Sequence, residues 1–296
     1  IVKPDHIIIT DVSIGHIEGL KSLDNIVEEK ASICSGQKQK GTAIIPSGVE
    51  KFGQLKEKVE AFGPNLISVG EGEVSDVRIS NTKVLNNAIT SKISDLEQNL
   101  WNIRLKTAGK HYMKNAAALL ALVFSLKLNP SKAILALERW SPLPGRGQVL
   151  EIEVKHSNYE TAIYLIDESY NANPGSVKSS LETLASIYSN KRSKCKYSRR
   201  IAVLGDMLEL GLSEVEEHVN ISRFARLDKI DKIYCVGFRM RKLYDVLPSL
   251  KRGFWTETAE EMQHVLVKNL KDGDIVMIKG SLSMGMNTIV NKLKNN

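Results

Sequence analysis

Short apolar runs alternate with helix-like patterns along the second half of the chain. After each run, apolar residues recur about every three or four positions. Such β-α alternation predicts a parallel sheet with helices on both faces and ligand-binding loops at the carboxyl ends of the strands. We therefore expect a Rossmann-like domain in this half. The predicted strands are 162–168, 200–206, 232–237, 252–257 and 274–280, and the predicted helices are 176–189, 213–227, 239–247, 257–271 and 285–294.

The first half is α/β as well, but its pattern is less regular. Residues 71–108 are polar and weakly patterned, which favours an antiparallel edge. Ser22 directly precedes a helical pattern and is a suitable N-cap. The predicted strands are 6–12, 41–46 and 65–70, and the predicted helices are 22–35, 51–62, 109–128 and 130–138.

A segment rich in proline and glycine, SPLPGRGQ at 141–148, separates the two halves. Two prolines and two glycines in so short a stretch are typical of a linker. We therefore predict a domain boundary in this segment, with domains at 1–142 and 143–296.

The composition is that of a soluble globular protein. The 296 residues are 42% hydrophobic and 25% charged, which suits two domains with buried cores. The longest apolar stretch, residues 116–128, is shorter than the roughly 20 residues of a membrane span. We expect no membrane insertion and no secretion signal. The three cysteines are too few and too far apart for a disulfide framework or a zinc site, which favours a reducing cytoplasm.

The chain is basic, with a formal net charge of +7 that suits anionic ligands such as nucleotides. Six of the basic side chains fall in KRSKCKYSRR, residues 191–200, and these could contact RNA or a phosphate-rich partner. No aromatic stacking platform surrounds this run. A solvated loop is therefore the favoured interpretation, and no nucleic acid partner is expected.

The stretch DESYNANPGS, residues 167–176, joins a predicted strand to a predicted helix. Alone, it indicates a turn with asparagines in unusual backbone conformations and a proline in the first helical turn. Three clusters precede it in the chain, GHIEG, GKHYMKN and LPGR, and LGDMLELG and VMIKGSLSMGM follow it. In this order the motifs resemble the Mur ligase family, and within it the branch that adds D-alanyl-D-alanine to UDP-N-acetylmuramoyl-tripeptide.

The resemblance implies an ATP-dependent amide ligase that acts as a monomer. Such ligases have a UDP-binding domain, a central ATPase domain and a Rossmann-like C-terminal domain. No GxxGKT-type phosphate loop occurs in this sequence. We therefore expect the second half of the central domain followed by a complete C-terminal domain, an α/β fold with a mostly parallel sheet. The implied reaction uses ATP and Mg²⁺ to form an acyl phosphate, which the dipeptide amine then attacks.

The resemblance also implies two catalytic, metal-binding residues. In GHIEG, His16 matches a histidine that coordinates Mg²⁺, and in EEKASI, Lys30 matches a lysine carbamylated by CO₂. A free lysine, with a pKa of about 10.4, would repel the ion, whereas its carbamate offers an anionic oxygen. Ser32 stands where the family usually has glutamate. Without the resemblance, Lys30 is one more exposed helix lysine.

Four residues are expected to bind the nucleotide. His111 and Asn115 match the family segment that contacts adenine, and their spacing of four places them on one helix face. Arg146 matches a linker arginine whose guanidinium reaches the phosphates. Asp167 matches an aspartate at the end of the first C-terminal strand that contacts the nucleotide.

Further residues are expected to act on the amine or the acyl phosphate. Asn171 and Asn173 are predicted catalytic residues that orient the acyl phosphate or the incoming dipeptide. Asp206 and Glu209 either steer the dipeptide amine or cap the next helix. Lys279 and Ser281 either close on the terminal groups of the substrate or belong to a glycine-rich strand end.

Two other functions remain open from the sequence. The chain could be another amide ligase of the same superfamily, although SYNANP and LGDMLELG argue against this. It could also be a truncated, non-catalytic remnant that binds only a nucleotide or a partner, since the phosphate loop is absent from the given sequence.

Overall fold

The computed structural model describes residues 3–13, 17–37, 41–85, 88–155, 159–187 and 198–295. The chain divides into two compact units, Ile1–Trp140 and Ser141–Asn296. His16, Cys195 and most of the basic run at 191–200 lie outside the described residues.

Unit 1 is built on a mixed sheet in which strands β1 to β6 lie side by side in chain order. Strands β1 to β4 run parallel, whereas β5 and β6 pair antiparallel with their neighbours. The antiparallel edge predicted within 71–108 is therefore confirmed. The strands are β1 (His6–Ile8), β2 (Thr42–Pro46), β3 (Asn65–Gly70), β4 (Val77–Leu85), β5 (Ala88–Ser94) and β6 (Leu100–Leu105).

Helices of unit 1 pack onto this sheet through small and aliphatic side chains. In the fourth helix, Ala117 and Leu120 are fully buried in a cluster with sheet residues such as Ile89. Ser22 caps the second helix as predicted, because its Oγ accepts a hydrogen bond from the N–H of Asn25 at 3.1 Å. The helices are α1 (Ile17–Leu20), α2 (Leu23–Ser32), α3 (Phe52–Glu60), α4 (Lys110–Ser125) and α5 (Pro130–Arg139).

Unit 2 contains a mostly parallel sheet, as predicted, in the order β11-β10-β9-β12-β8-β7. The strand β7 was not predicted, and it pairs antiparallel with β8 at one edge. Its pattern is weak because four of its eight residues are partly buried and three are exposed. The strands are β7 (Gln148–Lys155), β8 (Glu160–Glu168), β9 (Arg200–Gly205), β10 (Lys232–Val236), β11 (Arg252–Thr256) and β12 (Ile275–Lys279).

The helices of unit 2 follow the predicted alternation, with one correction. The helix predicted over 213–227 ends at Asn220 and is followed by short 3₁₀ turns at Ile221–Arg223 and Leu227–Lys229. In the described part of the chain, no helix has both the length and the apolar character that crossing a bilayer requires. The helices are α6 (Pro174–Ser186), α7 (Glu214–Asn220), α8 (Phe238–Val246), α9 (Ala259–Asn269) and α10 (Asn287–Lys294).

The central strands of unit 2 bring the sequence motifs together. Every residue of β12 is buried, which explains its unbroken apolar run. Lys279 at the end of β12 pairs in register with Glu168 of β8 on one side and with Leu204 of β9 on the other. The SYNANP and LGDMLELG segments therefore both leave the sheet at the carboxyl end of its strands, on either side of β12.

Candidate active site

The turn after β8, residues 167–174, is termed the elbow, and Asp167 anchors its start. The Asp167 side chain is only 2% exposed. One carboxylate oxygen accepts a hydrogen bond from the N–H of Gly145 at 2.9 Å, and the other accepts bonds from the Oγ and N–H of Ser169 at 2.6 and 3.2 Å. The Lys294 ammonium lies 3.7 Å away. Asp167 therefore ties the linker to the elbow through a buried charge.

The linker arginine is held against the elbow. Gly145, with φ +76°, donates its N–H to Asp167 and accepts the N–H of Tyr170 at 3.0 Å. A Cβ added at Gly145 would lie 3.2 Å from the backbone N of Tyr170, so glycine permits this close approach. The Arg146 guanidinium stacks over the Tyr170 ring at 3.9 Å from its centroid, a cation–π contact. The exposed Arg146 thus lies beside the elbow.

The two predicted asparagines have different surroundings. Asn171 is exposed, and its Oδ1 accepts the N–H of Ala172 at 2.9 Å. Asn173 caps α6: its Oδ1 accepts the N–H of Ser176 at 2.8 Å, and Ser176 Oγ accepts the N–H of Asn173 at 2.9 Å. Such a reciprocal capping box stabilises the start of the helix. The oxygen of Asn173 is therefore committed to the helix, which sequence reasoning did not anticipate.

Lys279 is buried beside the elbow. Its side chain is 3% exposed, and its ammonium donates a hydrogen bond to the carbonyl of Asn171 at 2.9 Å. The Glu168 carboxylate lies 3.6 Å from the same ammonium. Burial lowers the pKa of Lys279 below its ordinary range, and the nearby Glu168 carboxylate opposes this shift. The sequence-based expectation that Lys279 closes on substrate is not supported by this position, because its ammonium is already bonded within the protein.

The loop after β9 is held by Asp206, which caps a distant helix. The Asp206 carboxylate accepts the N–H groups of Arg239 and Met240 at 3.2 and 2.7 Å, at the start of α8. A carboxylate at this position satisfies donors that the helix cannot use and complements its dipole. Gly237 makes room for the carboxylate, since a Cβ there would lie 2.5 Å from its carbon. Asp206 thus caps α8 rather than the next helix, α7.

His218 also contacts the loop after β9, through a hydrogen bond to Met207. The ring is fully buried, its Nε2 accepts the N–H of Met207 at 2.9 Å, and its Nδ1 donates to the carbonyl of Glu214 at 2.5 Å. This pattern requires the neutral imidazole. Burial lowers the pKa of His218 below its ordinary value. The charged groups that face the ring are Asp206, Arg239 and Glu214.

Stability should therefore fall in mild acid. Because the folded-state pKa of His218 lies below the unfolded value of about 6.5, the unfolded state binds the proton first as the pH falls. The stabilisation is present above pH about 6.5 and is lost as the pH falls towards the folded-state pKa, by at most about 1.4 kcal/mol per pH unit. Urea unfolding at several pH values measures this slope. His218→Gln should reduce it, and an unchanged slope in this variant would contradict the assignment.

The candidate residues of unit 1 lie on helices. His111 and Asn115 occupy successive turns of α4, with Asn115 exposed. The His111 ring lies 4.0 Å from the Tyr112 ring, and Tyr112 lies 5.0 Å from the Trp140 ring, centroid to centroid. The rings are inclined to each other by 43° and 52°, so a base could stack on the face of one ring but not on all three.

The magnesium ligands are not assembled within the described residues. Lys30 lies exposed in the last turn of α2, and His16 lies outside the described part of the chain. No group of three or more His, Cys, Asp or Glu side chains among the described residues is placed to hold a metal ion. An uncarbamylated Lys30 is a cation and does not fit such a site. The residues that the structure describes therefore do not form a magnesium site by themselves.

Two family models match the chain in order. The Mur ligase middle domain matches residues 1–123, and the Mur ligase glutamate ligase domain matches residues 152–282. The chain is similar to the UDP-N-acetylmuramoyl-tripeptide--D-alanyl-D-alanine ligase of Bacillus subtilis, with 26% identity over 99% of this chain and 60% of the relative. For the ligase of the same name from Treponema pallidum, the identity is 28% over 97% of this chain and 57% of the relative. The chain thus spans about 60% of the length of the curated relatives that it matches.

Solved structures share the fold. MurF from Acinetobacter baumannii superposes with a TM-score of 0.82 at 22% identity, covering 99% of this chain and 60% of that one. MurF ligase from Thermotoga maritima in complex with ADP gives a TM-score of 0.81 at 21% identity, covering 99% and 62%. Because both domain models match in order and the relatives align across nearly all of it, the chain belongs to the Mur ligase family.

Proposed function

We propose that this chain is the part of an ATP-dependent amide ligase that helps to join D-alanyl-D-alanine to UDP-N-acetylmuramoyl-tripeptide, in cytoplasmic synthesis of peptidoglycan precursors. One observation carries the proposal: the SYNANP elbow and the LGDMLELG loop both follow strands at the carboxyl end of one mostly parallel sheet, on either side of β12. Open α/β sheets bind their ligands at this end of their strands. The names of the relatives support the same substrates. We expect the enzyme to act as a monomer and without nucleic acid.

The chemistry requires activation of a carboxylate. Its oxide is a poor leaving group, so the γ-phosphoryl group of ATP is first transferred to the carboxylate oxygen, giving an acyl phosphate and ADP. The dipeptide amine then attacks the acyl carbon, the C–O bond to phosphate breaks, and the amine loses a proton. Both steps gather negative charge on phosphoryl oxygens, which cationic side chains and N–H donors stabilise.

Four residues are proposed to contact the nucleotide. His111 and Asn115 would meet the base, as their shared helix face and the neighbouring aromatic rings suit a planar ligand. Arg146 would meet the phosphates, since its guanidinium is exposed and its stacking on Tyr170 limits its freedom. Asp167 would act through Gly145 and Ser169, because its buried carboxylate already accepts their hydrogen bonds.

Asn171 and Asn173 would orient the acyl phosphate or the dipeptide from the elbow. Asn171 is exposed at the carboxyl end of the strands. For Asn173, the cap that its Oδ1 forms on α6 leaves the amide nitrogen to donate to a ligand. Both proposals place N–H donors close to the reacting group.

The metal-site residues are proposed from the family resemblance alone. Lys30 would be carbamylated and would bind Mg²⁺ together with His16. The exposure of Lys30 gives CO₂ access to its amine. A ¹³C signal from labelled bicarbonate that disappears in Lys30→Ala would support carbamylation, and loss of activity that short carboxylates partly restore would support its role.

The proposed function is tested with the whole gene product. Purified protein is mixed with ATP, UDP-N-acetylmuramoyl-tripeptide and D-alanyl-D-alanine, and phosphate release is followed together with the mass of the muramoyl product. We expect release to require both substrates and the product to gain the dipeptide. Nucleotide that binds firmly without phosphate release would indicate a non-catalytic remnant. Activity with a single amino acid in place of the dipeptide would indicate another amide ligase of the superfamily.

A further inference from the structure

The three residues Lys279–Ser281, here termed the bracket, begin at the last residue of β12 and contact both motif loops. On one side, the Lys279 ammonium donates to the carbonyl of Asn171 in the elbow at 2.9 Å. On the other side, Ser281 donates its N–H to the carbonyl of Asp206 at 3.1 Å, and its Oγ accepts the N–H of Leu208 at 2.9 Å. The bracket thus bonds to two loops that are distant in sequence.

The bracket is held firmly in place. Lys279 and Ser281 are 3% and 5% exposed. Gly280 between them packs against the end of β9, since a Cβ added there would lie 3.0 Å from the Cα of Gly205 and 2.6 Å from the Cγ of Met286. A Cβ added at Gly205 would likewise lie 2.7 Å from the Sδ of Met286, so both glycines leave room for this packing. Movement of one loop relative to the other would therefore break buried hydrogen bonds.

The hydrogen bonds of the bracket fix the distance between the two motif loops and do not themselves form a surface for substrate. The Lys279 ammonium lies 3.6 Å from the Glu168 carboxylate and donates to a backbone carbonyl, and Ser281 bonds to backbone groups. The loops carry the exposed side chains Asn171 and Glu209. Buried polar groups are costly unless they are fully bonded, so each of these contacts resists displacement. A displacement of about 1 Å between reacting groups can cost about 100-fold in rate.

We propose that Lys279 and Ser281 are positioning residues, which fix the distance between the elbow and the loop after β9 and thereby align the amine substrate with the acyl phosphate. The inference rests on the proposed function. Neither side chain contacts substrate in this role. The rate of amide formation therefore depends on both residues through the same distance, that between the elbow and the loop after β9.

The kinetic test uses the whole gene product well below its melting temperature. We expect Lys279→Met and Ser281→Ala each to lower kcat for amide formation by roughly 30-fold, with little change in the KM for ATP. The double variant should be only slightly slower than the slower single variant, because either change already releases the separation. The proposal would be refuted if the loss of kcat in the double variant were the product of the losses in the two single variants. Unchanged kcat values in the single variants would also refute it.

Matched controls separate positioning from stability. Lys232→Met removes a lysine whose ammonium also donates to a backbone carbonyl, that of Arg252 at 3.0 Å, but at the amino end of the sheet. Ser222→Ala removes a hydroxyl that donates to the carbonyl of Val219. Both controls should keep the wild-type kcat even where they lower Tm. Equal losses of kcat in controls and bracket variants would show a merely structural role.

A second readout does not depend on activity. Amide hydrogen exchange at Leu208 should accelerate at least tenfold in Lys279→Met, although Lys279 bonds to the elbow and not to Leu208. Unchanged exchange at Leu208 would overturn the coupling between the loops. If the wild-type protein releases no phosphate with both substrates, the proposed function fails, and this exchange measurement still decides whether the bracket couples the two loops.

Discussion

Replacing Gly237 by alanine is expected to lower the free energy of unfolding by about 4 kcal/mol. Gly237 has φ +102° and ψ 166°, a conformation that residues with a side chain rarely adopt. The new methyl group would also lie 2.6 Å from both carboxylate oxygens of Asp206. Asp206 would have to move away from the N–H groups of Arg239 and Met240, which leaves the start of α8 uncapped. Urea unfolding measures the loss.

Gly285→Ala is the comparison for a glycine with positive φ whose added methyl group meets no close neighbour. Gly285 also has a positive φ, +63°, but a Cβ there would come no closer than 4.0 Å to a neighbouring atom. Only the cost of the left-handed conformation then remains, about 1 to 2 kcal/mol. Equal losses in the two variants would show that the collision with Asp206 contributes nothing.

Asp167→Ala is expected to lower the free energy of unfolding by about 3 kcal/mol and to raise the KM for ATP at least tenfold. The substitution leaves the N–H of Gly145 and the hydroxyl of Ser169 without their acceptor in a buried environment. The linker would then detach from the elbow, and Arg146 would lose the fixed position from which it is proposed to meet the phosphates. Thermal unfolding and steady-state kinetics at varied ATP measure the two effects.

Asp272→Ala provides the comparison for a carboxylate of the same unit. Its Oδ1 accepts one hydrogen bond, from the N–H of Ala162 at 3.0 Å, at the amino end of β8. Its side chain is only partly buried, so we expect a loss of about 1 kcal/mol and an unchanged KM for ATP. If Asp272→Ala raises this KM as much as Asp167→Ala does, the linker is not the cause.

The parallel core of unit 2 could be predicted from sequence because its strands are buried on both faces. The strands β8, β9 and β12 therefore appear as unbroken apolar runs. The edge strand β7 could not be predicted, because its residues are mostly half-exposed and it follows a proline- and glycine-rich linker. The C-terminal limit of α7 was also wrong, since 3₁₀ turns continue a helix-like pattern beyond Asn220.

The motif loops of the candidate site could be located from sequence, but the bonds that hold them could not. Asp206 and Arg239 are far apart in the chain, and only the sheet order brings the carboxylate to the start of α8. The same holds for Lys279 and Asn171. The cap formed by Asn173 was within reach of sequence reasoning, because an asparagine before a proline is a usual start of a helix. The roles of His16 and Lys30 remain predictions.

The position of β12 also has a consequence for biosynthesis. This strand lies between β8 and β9, although it is the last strand of the sheet to leave the ribosome. Until it emerges, β8 and β9 each present an unpaired apolar edge, a state that favours aggregation. The sheet can close only after β12 has emerged, so nascent chains stalled before residue 275 should depend on chaperones for their solubility.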